Sequence, residues 1–337
     1  MNADTERRAA WLCWAGLFHN LTGASPDVPM AYCREAVEIA NENGLDDMRA
    51  LAESCLTQAY TAAGRLTEAV ETGVRALAFF EAHSNTWWAC RVSWSLIVAC
   101  NAIGRWAQSL EYCRRALEYG RTVDDLRLKV VGWWRTGSTH IQRGDAETGV
   151  ACCDQALALS PLPLDAAMAR GVRAYGLVKV GKGEEAIAQL EDVVAWLQKS
   201  NLRYSWTIWG LYLADSYLRL GESRRARAVA ESCLAVSREI GYRYLQGVAE
   251  RLLGQSLAPD DPAASAAHLT RAVEILEEAG ARNDLAKTLV AQAELRIASG
   301  DPTARSLLDR ALTIFSELGT LDGPDHARRL LAALPAS

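Results

Sequence analysis

Three kinds of residue in this 337-residue chain could do chemistry: one glycine-rich stretch, nine cysteines and five histidines. The stretch GLVKVGKG, Gly176 to Gly183, matches the G-x-x-x-x-G-K part of a phosphate-binding loop. Such a loop needs a strand before it, a nest of backbone N–H groups within it and a Ser or Thr after the lysine to hold Mg²⁺. Here Gly183 stands in the Ser/Thr place and the preceding residues read as helix, so a turn is expected. Cys13, Cys33, Cys55, Cys90, Cys100, Cys113, Cys152, Cys153 and Cys233 are odd in number and include no C-x-x-C pair. Most sit beside Ala and Leu in helical segments, where a reduced thiol packs as a small apolar residue. Vicinal Cys152 and Cys153 would be the redox or soft-metal candidate, but no ligand spacing accompanies them. His19, His83, His140, His268 and His326 are scattered, with no helical metal site among them, and His140 reads as a hydrogen-bonded core histidine. Acidic pairs such as Asp46-Asp47, Asp124-Asp125 and Glu184-Glu185 fall at helix starts, where they complement the dipole. Asp46, Asp124 and Asp284 are expected as capping residues. No catalytic residue, cofactor or metal is called for, and an enzyme is not expected.

The elements that carry these residues come from a repeated phrase. AGRLTEAVETGVRAL, Ala63 to Leu77, returns as IGRWAQSLEYCRRAL and again as LGESRRARAVAESCL. One small residue in each copy serves as a ruler: Ala36, Ala76, Ala116, Ala156, Val193, Cys233, Ala272 and Ala311, at intervals of 40, 40, 40, 37, 40, 39 and 39. Eight copies at a near-constant interval mark a stacked repeat. Each copy reads helix, turn, helix. The turn carries Gly64, Gly104, Gly144, Gly181, Gly221 or Gly300, and the small ruler residue lets two helices approach closely. Gly, Asn, Pro and Asp clusters such as NENGLDD and SPLPLD separate the copies. The expectation is one all-α right-handed solenoid with repeats over about 6–44, 45–84, 85–123, 124–162, 163–201, 202–241, 242–280 and 281–319. A capping helix over 323–334 would close its open end.

The phrase Gly-x-x-x-x-Ala…Ala resembles the second helix of the tetratricopeptide repeat. Gly64, Ala69 and Ala76 match that family's glycine and two alanines. Gly221 and Ala226 match the first two, Gly137 and Ala214 its small residue in the first helix, and Pro161 its helix-ending proline. The resemblance covers nearly the whole chain. The period is nearer 40 residues than the family's usual value of about 34, and the proline is mostly missing. Longer repeats of this kind are similar to the helical region of large bacterial STAND-type ATPase, cyclase and transcriptional regulators, whose C-termini the last repeat and the capping helix, Gly280 to Leu334, resemble. The resemblance implies a protein-binding module whose first helices line a concave face.

Composition narrows the partners. The net charge is −5, spread along the chain, so the basic stripe that nucleic acid requires is missing. No window approaches a membrane span and the N-terminal segment reads as an amphipathic helix rather than a signal peptide; a cytoplasmic location is expected.

Eleven tryptophans stand out in a repeat built from Ala and Leu. Most fall in first helices: Trp11, Trp14, Trp87, Trp88, Trp94, Trp133, Trp134, Trp206 and Trp209, with Trp106 and Trp196 outside. Trp94 and Trp134 lie ten residues before their turn glycines, a position that by resemblance points into the groove. Arg91 and Asn101 share a helical face with Trp94, Ser138 and Gln142 follow Trp134, and Trp209, Tyr212 and Asp215 continue the row in repeat 6. Adjacent pairs such as Trp133-Trp134 cannot both face the groove, so one of each packs between layers. The nine residues suit a protein or peptide in the groove. A sugar or flat metabolite effector is the alternative, and a scaffold or oligomerisation array the second. A small ligand would occupy a closed pocket between repeats 3 and 4, whereas a peptide would need an open furrow across several repeats.

Overall fold

A computed structural model describes residues 3–159 and 162–334. Among these residues the chain forms seventeen α-helices and no strand. They come as eight antiparallel pairs: α1 (Ala3–Thr22) with α2 (Asp27–Asn43), α3 (Asp46–Ala63) with α4 (Leu66–Ala82), α5 (Thr86–Ile103) with α6 (Trp106–Thr122), and α7 (Leu126–Arg143) with α8 (Ala146–Ala158). The second half continues with α9 (Pro163–Lys179) and α10 (Gly183–Lys199), α11 (Arg203–Arg219) and α12 (Ser223–Ile240), α13 (Arg243–Leu257) and α14 (Pro262–Glu278), and α15 (Arg282–Ala298) and α16 (Ala304–Leu318). A last helix, α17 (Pro324–Ala333), packs on α16. The result is a right-handed α-solenoid of helix-turn-helix repeats with a C-terminal cap.

The repeat interval has a packing cause. All eight ruler residues lie on second helices, and every one is buried. At the α7–α8 crossing even a methyl group is too much. A β-carbon on Gly137 would lie 2.6 Å from both the Gly149 carbonyl oxygen and the Cys153 Sγ, so two backbones touch there directly. All nine cysteines are free and buried, and burial pushes thiols such as Cys90 and Cys233 up to about 12. Cys152 and Cys153 are packing residues of the same kind. The Gly176–Gly183 stretch is the end of α9 and the turn into α10. Gly181 has φ 80° there, a left-handed conformation that glycine adopts at little cost.

Helix starts differ from expectation. Asp46 lies within α3 and makes no cap, and Asp124 has φ 49° and precedes the true cap. Asp284 sits inside the first turn of α15 with its carboxylate turned to other partners. The side-chain caps are Asn85, Asp125, Asp145 and Asp261, each accepting from a backbone N–H three residues on. A cap must stand one residue outside the helix, and each expected residue misses that place. Pro161, expected to end a helix, lies outside the described residues.

The solenoid closes on itself. α3 packs on α13 and α5 on α15, so one superhelical turn takes about five repeats. The Tyr242 hydroxyl donates to the Gly23 carbonyl (3.2 Å), the Trp106 indole N–H to Thr320 Oγ1 (3.3 Å), and the Leu321 N–H to the Arg143 carbonyl (2.7 Å). Buried apolar side chains from α1–α6 and from α11–α17 accordingly belong to one cluster, while repeats 4 to 6 form a second.

Candidate functional site

The superhelix curls around a cavity of about 340 Å³ that stays partly open to solvent. Its walls come from the first helix of every repeat, from Asn20 on α1 to Lys287 on α15. All nine residues singled out in the sequence lie on it: Arg91, Trp94, Asn101, Trp134, Ser138, Gln142, Trp209, Tyr212 and Asp215. Neither expected shape is what forms. A closed pocket between repeats 3 and 4 and an open furrow are both replaced by one central chamber, because the last repeats fold back over the first.

Its floor is aromatic. Trp134 and Trp209 meet edge to face with centroids 6.1 Å apart, and Trp209 leans on Tyr212 at the same distance. Tyr212 in turn stacks on Tyr175, 4.5 Å apart and 2° from parallel. Trp134 and Trp209 are only 5% exposed, so most of each ring is held in the core and little of it is left on the chamber wall. Around them runs a fixed polar wall. Gln142 donates to Ser138 Oγ (2.8 Å) and to the Tyr212 hydroxyl (3.1 Å), and the Tyr175 hydroxyl donates to Asp215 (2.9 Å). Burial pushes Tyr212 up to about 12, so it stays neutral at physiological pH. For Asp215, burial alone would raise the carboxyl, but Arg219 (2.8 Å) and Arg251 (3.7 Å) outweigh it and hold it well below the usual carboxylate range.

Asn101 plays a different part from its neighbours. Its amide donates to Thr139 Oγ1 (3.1 Å) and accepts from Ser109 Oγ (2.7 Å), which ties α5 to α6 and α7. Its polar atoms are spent on helix packing. The remaining tryptophans divide as their helical phase requires. Trp88 and Trp133 pack against the two large core clusters, whereas Trp11, Trp14 and Trp87 are 60%, 56% and 44% exposed and do not line the chamber.

Sequence reasoning missed Arg127, Arg135, Asp165, Tyr175, Arg251 and Lys287, which also line the cavity. A signal for two of them exists. Arg135 and Arg251 stand 21 residues before their rulers Ala156 and Ala272, as Tyr212 stands before Cys233. Among the described residues no three His, Cys, Asp or Glu side chains come together as a metal site. His140 Nδ1 lies 3.2 Å from the Asp145 carboxylate, half-buried at the end of α7.

No protein-family model matches the chain, and no curated protein matches it. Solved structures do match. The crystal structure of a Rap protein complexed with Competence and Sporulation Factor aligns with a TM-score of 0.64 at 14% identity, covering 97% of each chain. That of NprR in complex with its cognate peptide NprX gives 0.63 at 15% identity over 81% of this chain and 77% of the other. Likeness at such low identity is likeness of fold. The chain is thus an all-α superhelix of the tetratricopeptide type, with the architecture of these two proteins.

Proposed function

We propose that the protein is a non-catalytic, peptide-binding module of bacterial signalling or transcriptional control, working in the cytoplasm with its eight repeats as one unit. The observation that carries this reading is the chamber, where first helices of all eight repeats converge on an aromatic floor. Interlocked rings and Gln142-type hydrogen bonds hold that surface in shape before anything binds, which lowers the ordering cost of recognition. The Rap and NprR structures, each solved with a bound factor or peptide, supply the analogy. No helix among the described residues is long and apolar enough to cross a membrane, in keeping with the compartment proposed.

A small effector is the second reading, and one observation favours it. A volume near 340 Å³ lies at the small end of cavities that hold metabolites, about 300–1,000 Å³. Calorimetric titration of the purified chain with random hexapeptide pools, and separately with a metabolite mixture, decides between the two. Saturable heat from a peptide pool supports the first reading. Heat from the metabolites alone replaces it with the second.

A further inference from the structure

The charges on the chamber wall are not balanced. Six basic side chains and two acidic ones line it, although the chain as a whole carries net charge −5. Both carboxylates are already engaged: Asp165 with Arg127 (3.1 Å), and Asp215 with Arg219 and Arg251. Two further wall cations have partners outside the chamber, Arg203 with Glu239 (2.7 Å) and Lys287 with Asp284 (3.9 Å). That leaves Arg91 and Arg135. Among the described residues neither guanidinium has a carboxylate or a hydrogen-bond acceptor; their neighbours are indole rings. Arg91 lies 5.2 Å from the Trp87 ring and 6.0 Å from Trp94, and Arg135 lies 4.5 Å over Trp134.

An arginine cannot escape a buried position by losing its proton. Burial pulls Arg135 down to about 10, which still leaves it a cation at neutral pH. Ring faces compensate a guanidinium in part, but they accept no in-plane N–H hydrogen bond. Two planar forks, stacked on indoles that fix their orientation, have their edges free for an oxygen anion.

We infer that the chamber selects a carboxylate-bearing peptide, whose acidic group is the missing counter-ion of Arg91 and Arg135. This deepens the peptide-binding reading and rests on it. A bidentate guanidinium–carboxylate contact in a low-dielectric site is strong and geometrically specific. A basic peptide would meet a wall on which every carboxylate is already taken.

The test uses the full chain and three N-acetylated hexapeptide pools, enriched in Asp/Glu, in Lys/Arg, or in neither, each as free acid and as C-terminal amide. Binding is read by tryptophan fluorescence. The acidic pool is expected to bind about tenfold or more tightly than the basic pool. In Arg135→Gln the preference falls to about threefold or less. Arg91→Gln provides a second variant should the first unfold, with circular dichroism as the check on folding. Binding of every free-acid pool that falls about tenfold or more on amidation assigns the carboxylate to the peptide C-terminus, and an acidic-pool preference that survives amidation assigns it to a side chain; both support the inference. Equal or tighter binding of the basic pool with no loss on amidation overturns it while the peptide reading stands. If no pool binds, the peptide reading fails and takes this inference with it.

Discussion

Lys179, at the end of α9, forms an ion pair with Asp322, in the segment after α16, so repeat 5 is clasped to the chain that follows repeat 8. The lysine side chain is 3% exposed and also donates to the Ile141 carbonyl (2.8 Å). Burial pulls its pKa down to about 8, against the opposing pull of Asp322. Its ammonium lies 5.7 Å from the Tyr175 ring, so the clasp and the chamber wall share a neighbour.

Removing one partner of such a pair leaves the other charge stranded. Lys179→Met should cost about 2–3 kcal/mol, at the low end because Asp322 keeps some contact with solvent. Urea denaturation measures the loss, and small-angle scattering should report a larger radius of gyration as the seam loosens. A variant with unchanged midpoint and radius would mean that the seam does not depend on this clasp.

The touching backbones at the α7–α8 crossing give a sharper packing test. In Gly137→Val the side chain would drive into the Gly149 carbonyl and the Cys153 sulfur, and the two helices must separate. A cost of about 3 kcal/mol or more is expected, read as a fall in thermal midpoint. Wild-type stability would show that the crossing can relax freely.

Asp215 predicts a pH dependence with a definite sign. Its folded-state pKa is depressed, so its contribution is fully present above the unfolded value, about pH 4. It is lost as the pH falls below that point. Asp215→Asn should therefore be less stable than wild type at neutral pH, with the gap narrowing on acidification below about pH 4. A gap that stayed constant down to pH 2 or so would assign the loss to hydrogen bonding with Tyr175 rather than to charge.

Trp94 and Trp134 offer a matched pair. Trp94 is partly exposed on the wall, while Trp134 is almost wholly buried. Trp94→Ala should weaken binding of a hexapeptide pool by about tenfold or more with helical content intact. Trp134→Ala should weaken binding and also cost about 3 kcal/mol of stability. Undiminished affinity in both variants would remove the aromatic floor from the site.

The architecture was legible because the period had a single physical origin. From Ala36 to Ala311 a compact apolar residue, Ala in six repeats, Val193 and Cys233 in the others, recurs on the second helix and is buried. Wall residues such as Trp94 and Gln142 were legible for a related reason, since counting from a turn glycine fixes the helical phase that faces inward. Closure was not legible. The contacts of Trp106 with Thr320 and of Tyr242 with Gly23 join residues more than two hundred positions apart, and no local pattern encodes them. Arg135 carries no aromatic ring to single it out in the sequence, although it shares the register of Tyr212, 21 residues before the ruler. Asn101 lies on the wall, but its engagement with Thr139 and Ser109 depends on a side chain from another repeat.

The central claim is that a peptide enters the chamber, and photo-crosslinking tests it most directly. The full chain is irradiated with a hexapeptide pool carrying an N-terminal benzophenone, digested, and mapped by mass spectrometry. Adducts on the first helices, concentrated on α5, α7 and α11, are the predicted result. Adducts confined to second helices or to the exposed face of α1 around Trp11 and Trp14 would contradict it.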